Sequence, residues 1–124
     1  METLKSYFSN IGFAGEGLAK ILEAFSLETF EKNDFVVEYG KTCKHIGFVK
    51  SGMFQYYVLK DGEEKTHYVN IEQTWFASLL SFISEAPALE NIRALTEGSI
   101  YLISKPNLKK LVGDVPGFKD FYIG

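Results

Sequence analysis

Between Leu27 and Ile71 the apolar residues leave helical spacing and recur at about every second position, in short runs broken by turn residues. The runs FVVEYG, HIGFVKSG and MFQYYVLKDGEEKTHYVNI are rich in β-branched and aromatic side chains, and Gly40, Gly47, Gly52 and Gly62 punctuate them. Short alternating segments between closely spaced turns predict an antiparallel sandwich or barrel. The hairpin is set by LKDGEE, because Asp61-Gly62 tolerates the positive φ angles of a two-residue turn. Alternation then places Phe54, Tyr56 and Val58 on one face of the strand and Met53, Gln55, Tyr57 and Leu59 on the other. Seven Tyr and eleven Phe suit such a sheet.

Helices flank this region. Leu4, Tyr7, Phe8 and Ile11 keep helical spacing, as do Leu18, Ile21, Leu22 and Phe25, with the breaker GFAGEG between the two sets. Their apolar stripes predict packing on the body of the same domain. Thr74 to Ile83 is ten residues without a charge, which predicts a buried segment, with a short helix near 77–84. Strands resume from Asn91 to Thr96, where Ile92, Ala94 and Thr96 face inward and Arg93 points to solvent, and again from Ser99 to Ile103 after a turn at Gly98. A helix beginning near Pro106 buries Leu108, Leu111, Val112 and Val115. Beyond it VPGFKDFYIG starts another helix, with Phe118, Phe121 and Tyr122 on one side. The 124 residues are expected to form a single domain: N-terminal helices over 1–26, a β body over 27–103, and C-terminal helices over 106–124.

Several functions are set aside by composition. A net charge of −3 does not supply the clustered Lys and Arg that hold nucleic acid. Cys43 is the single cysteine, so no intrachain disulfide or cysteine-based zinc site exists, and it reads as a small buried hydrophobe. The opening METLKSYFSN lacks the apolar stretch of a secretory signal, and no run of 18 apolar residues occurs, so a cytoplasmic protein without a membrane segment is expected. A cupin-like metal enzyme needs two or three His with a carboxylate, whereas only His45 and His67 are present, 22 positions apart. Cys43 beside His45 lacks an evident orienting acid, and neither a nucleophile elbow nor a P-loop occurs. No enzyme activity, metal or cofactor is expected.

Two longer stretches carry a resemblance. HIGFVKSGMFQYYVLKDGEEK is similar to a strand, glycine turn and long hairpin, and TWFASLLSFISEAPALENIRALTEGSIYLIS to a phosphate-binding cassette followed by two strands. With ISKPNLKKLV after them, they resemble the cyclic-nucleotide-binding domain of the Crp/Fnr family over almost the whole chain. The resemblance implies a mainly β fold with flanking helices, a double-stranded β-helix or jelly roll with the ligand inside. In that family a long dimerisation helix and a DNA-binding winged helix-turn-helix follow.

In members that bind cyclic AMP, a Gly lets the backbone approach the phosphate at a helix start, a Glu takes the ribose hydroxyl, and an Arg about ten residues later pairs with the phosphate. Placing this sequence over that pattern without gaps puts Ala77 at the Gly, Ser78 at the Glu and Ala88 at the Arg. Leu89 falls where a small hydroxyl residue adds a further contact. The resemblance therefore assigns the ligand positions to Phe76, Ala77, Ser78, Leu79, Ala88 and Leu89, in a cassette that has lost its contacts. Each charge-assisted hydrogen bond is worth about 1.5–3 kcal/mol, and about 1.4 kcal/mol is a decade in affinity. Losing both Arg and Glu should weaken cyclic AMP by several decades. Ser78 keeps the residue type of a helix cap.

The expected function is accordingly a small-ligand-sensing effector domain of a Crp/Fnr-type transcription regulator that does not hold cyclic AMP tightly. The alternative is a ligand-free dimerisation or protein-interaction module. The implied partners are a small ligand and a second copy, joined through the C-terminal helix at Phe118, Phe121 and Tyr122. DNA would be contacted only through a region absent from this chain.

Overall fold

Alternation along the chain becomes two four-stranded antiparallel sheets in the computed structural model, which describes residues 2–123, apart from the side chains of Glu2, Leu79, Leu80 and Ile123. The strands are β1 (Ser26–Phe30), β2 (Phe35–Val37), β3 (His45–Ser51), β4 (Phe54–Lys60), β5 (Glu63–Asn70), β6 (Trp75–Phe76), β7 (Asn91–Ala94) and β8 (Gly98–Ser104). One sheet runs β1-β8-β3-β6 and the other β2-β7-β4-β5. Sequence neighbours are split between the sheets at several points, the crossing pattern of a jelly roll. The fold is mainly β, as its residues predict.

The tightest turn lies where the sequence places it. Asp61 and Gly62 have φ of 53° and 80°, and Lys60 faces Glu63 across the hairpin. Farther along, β5 carries one extra residue, so Tyr57 pairs with Thr66 while Tyr56 pairs with Tyr68. That bulge lets Tyr56 and Tyr68 share a face, and it bears on the site described below.

Between the sheets Phe54 meets Phe76 and Phe30. Gly47 is required here: a Cβ would stand 2.8 Å from the Phe76 ring and 2.9 Å from Ile100. Phe48 and Trp75, on the other face of their sheet, pack against Tyr7 of α1 (Glu2–Asn10). Leu18 and Ile21 of α2 (Gly15–Ala24) are buried as their spacing predicts, but Ile11 lies past the end of α1 and is exposed.

After the β body, α4 (Lys105–Asp114) starts with the Ser104 hydroxyl accepting from the Asn107 amide and with Pro106 in its first turn. Leu108 and Leu111 of α4, and Val115 just after it, are buried. The last helix, α5 (Phe118–Ile123), buries Phe118 completely against Phe8 and Phe13 and sets Phe121 against Tyr7, Phe8 and Trp75. Phe118 is thus used inside the chain, and of the three aromatic residues of α5 only Tyr122 and part of Phe121 are exposed, beside Lys119 and Asp120. Among the described residues no helix is long and apolar enough to cross a membrane.

Candidate functional site

The uncharged stretch leads out of β6 into α3 (Leu79–Ser84), which starts two residues later than the sequence suggests. Ser78 occupies the position before the helix, and its carbonyl accepts from the Phe82 amide at 2.8 Å. Its hydroxyl does not cap α3, contrary to what the residue type leads one to expect. The helix ends at Glu85 in the left-handed region, φ 63°. The Ser81 hydroxyl accepts from the Cys43 amide at 2.8 Å and donates to the Ala86 carbonyl. Ala88 exchanges backbone bonds with Gly40 and Lys41 at 2.9 Å each. The cassette loop is therefore stitched to the segment before β3, and that is what holds Ala88 inward.

The Ser78 hydroxyl is taken by a residue that sequence comparison passed over. It donates to the carboxylate of Glu90, two positions beyond Ala88. Tyr56 faces the same carboxylate. Burial first, then the charge of Glu90, the neighbouring Tyr68 and a hydrogen bond to Glu90 push the Tyr56 phenol up to about 12. Tyr68 stacks on Tyr56 with ring centroids 4.7 Å apart and planes 19° from parallel, and its phenol is raised by burial and by Glu90. His67 meets Tyr56 edge-on at 5.8 Å. The result is a partly exposed cluster of one carboxylate, one buried hydroxyl and two stacked phenols. A hint lay in the sequence: Glu90 sits in PALEN, where a phosphate cassette gains nothing from an acid.

Cations near this site are turned elsewhere. Arg93 projects from the opposite face of the sheet, donating to Glu64 at 3.0 Å and to Gln55 at 2.8 Å, with its guanidinium 4.9 Å from the Tyr57 ring centre. It lies on the outer face as expected, but as part of an ion pair rather than free in solvent. That cover buries Gln55 and Tyr57 on the face alternation assigns them. Lys65 pairs with Glu63 at 3.1 Å.

The cassette positions are unequal in burial. Phe76, Ala77, Ser78 and Ala88 are buried, while Leu89 is 60% exposed and points away from them. Leu79 begins α3, and its side chain lies outside the described residues. Two cavities flank residues 42–45. One, of about 290 Å³, is lined by Val37, Cys43, Phe76 and Leu102, and the other, of about 520 Å³, lies between Phe82, Glu85, Lys105 and Pro106. His45 borders both, and its imidazole is held below the usual histidine value, chiefly by burial. Among the described residues no three His, Cys, Asp or Glu side chains gather where they would hold a metal. The polar groups of the cluster at Glu90 can bind and orient a ligand.

The two sheets and their flanking helices define a jelly-roll domain, and comparison with known proteins names the family. Residues 27–114 match the model of the cyclic nucleotide-binding domain, and the chain belongs to that family. The family is one of binding domains rather than of enzymes. The sensor domain of the transcriptional regulator DNR from Pseudomonas aeruginosa superposes with a TM-score of 0.80 at 19% identity, over 98% of this chain and 82% of that one. The catabolite activator protein of Thermus thermophilus gives 0.77 at 16% identity, over 88% of this chain and 51% of its own. The regulatory domain of Toxoplasma gondii PKA, determined with cAMP, gives 0.75 at 17%, over 89% and 43%. This chain thus spans about half the length of the Thermus protein. No curated protein matches the chain significantly by sequence.

Proposed function

We propose that this domain is the small-ligand-sensing effector unit of a Crp/Fnr-type transcription regulator and that it does not hold cyclic AMP tightly. The observation that carries this reading is the Glu90 carboxylate bonded to Ser78 inside the cassette. A phosphate brought to about 4 Å from that carboxylate is opposed by roughly 4 kcal/mol at an effective dielectric of 20. Ala88 supplies no compensating cation. Repulsion of that size corresponds to roughly three decades in affinity.

The regulatory role is supported by likeness to the DNR sensor domain and to the Thermus catabolite activator. A ligand in the mouth of the jelly roll would act by binding two arrangements of the domain unequally and so shifting their balance. In this reading residues 1–124 form one unit, and α5 continues the contact to a second copy through Tyr122 and the outward part of Phe121. The regulator is cytoplasmic, and DNA is held by another region of it. The filled cradle also favours a second reading, a ligand-free dimerisation module. Calorimetry with cyclic AMP and cyclic GMP tests the first reading: no saturable heat is expected at micromolar concentration. Low-micromolar binding of either nucleotide would overturn it.

A further inference from the structure

Where the cassette of a cyclic nucleotide domain offers positive charge, this one offers negative charge. Glu90 is set against the buried Ser78 hydroxyl and beside Tyr56, and Lys65 and Arg93 spend their charge on Glu63 and Glu64. Among the described residues Glu90 has no ion-pair partner within 4.0 Å. Beside the carboxylate stand the two stacked phenols, and Tyr68 is 47% exposed, so part of the aromatic surface is open to solvent. A carboxylate next to electron-rich ring faces is the chemistry that recognises an organic ammonium group, attracted by the charge and by the ring quadrupoles together. The chain's net charge of −3 favours the approach of cations as well.

We propose that the mouth of this jelly roll takes an organic cation, an alkylated ammonium seated on the Tyr56–Tyr68 pair with Glu90 as its counter-charge. The inference rests on the reading of this side-chain cluster as the sensory site and gives that site a ligand class. The Ser78 hydroxyl fixes one carboxylate oxygen and the Tyr56 phenol bonds the same group, which still offers acceptor sites to a cation. The bulge in β5 aligns Tyr68 with Tyr56, so the geometry follows from strand register and not from surface rotamers alone.

The test is titration of the protein with tetramethylammonium chloride, read by NMR shifts at Tyr56, Tyr68 and Glu90, against sodium chloride at equal ionic strength. Saturable shifts confined to these residues are expected with the organic cation only. Glu90→Gln and, separately, Tyr68→Ala should each weaken binding about tenfold or more, with unchanged circular dichroism showing that the fold survives. Shifts that do not saturate, that sodium reproduces, or that survive Glu90→Gln in a folded protein overturn the proposal. Cyclic AMP titrated into the same sample keeps the two ideas apart. Low-micromolar binding would overturn the functional reading of a cassette closed to phosphate. Failure of both cyclic AMP and tetramethylammonium would remove the cation alone.

Discussion

Ser78 donates its hydroxyl hydrogen to the carboxylate of Glu90, twelve residues farther along the chain, and in doing so leaves the start of α3 without a side-chain cap. One hydroxyl cannot satisfy both demands. A capping bond to a helix amide is worth about 1 kcal/mol, whereas a bond to an ionised carboxylate is worth about 1.5–3 kcal/mol. The carboxylate wins. In the function proposed above, the place of a bound anion is thereby already held by a carboxylate.

Ser78→Ala should therefore destabilise the domain, although the methyl group fits the space. Glu90 is only partly buried, so water can replace some of the lost bond, and the cost belongs at the low end, about 1–2 kcal/mol. Urea unfolding checks this: the midpoint should fall with an unchanged slope. A cost near zero would mean that the hydroxyl and carboxylate are not bonded in solution.

Tyr56 provides a spectroscopic view of the same carboxylate. Its phenol should ionise near 12, and Glu90→Gln should lower that value, leaving the part due to burial. The consequence for stability has a definite sign. The folded pKa lies above the unfolded value of 10.0, so the contribution is complete below pH 10 and is lost as pH rises toward 12. Ultraviolet absorbance titration of wild type and Tyr56→Phe, with unfolding followed from pH 9 to 12, measures both. A phenol titrating near 10 in the folded protein would contradict the contact.

Much of this architecture was legible in the sequence, and the limits have physical causes. The Asp61-Gly62 hairpin, the alternation along β4 and the stripes of α2 and α4 depend on neighbouring residues, whose spacing is visible in one dimension. The placement of Ala77, Ser78 and Ala88 over a cassette came from sequence because a cassette is a local motif, and it belongs to the proposed function. Glu90 was not legible, because its role arises only when the loop after α3 folds back over Ser78. Tyr68 joins Tyr56 through a bulge that alternation alone does not register. Arg93 is on the outer face of its sheet as alternation places it, yet its ion pair with Glu64 reaches across β4 from β7 to β5, which depends on the order of strands in the sheet.

Gly47 controls the approach to the site from below. Its missing side chain lets Phe76, the residue leading into the cassette, lie against β3. Gly47→Ala would put a methyl group within 3 Å of both the Phe76 ring and Ile100. Overpacking of this kind costs about 1–3 kcal/mol. Thermal unfolding should show that loss, while Gly113→Ala, at a position with open space around it, should show little. Equal effects from the two substitutions would rule out the contact with Phe76.

Restoring a nucleotide site needs Glu90 removed as well as the lost contacts replaced. Ser78→Glu with Ala88→Arg returns the two charged residue types of a phosphate cassette, but the new guanidinium would have Glu90 two positions away as an internal partner. Adding Glu90→Ala frees it. The triple variant should bind cyclic AMP at least about a hundredfold more tightly than the double variant, since roughly 4 kcal/mol of repulsion is removed and about 1.4 kcal/mol is a decade. Ala88 is buried, so thermal melts must first show that both variants fold. Calorimetry then decides. Tight binding by the double variant would show that Glu90 does not oppose the phosphate, and absence of binding by a well-folded triple variant would show that Ala77, Ser78 and Ala88 do not stand at the cassette positions.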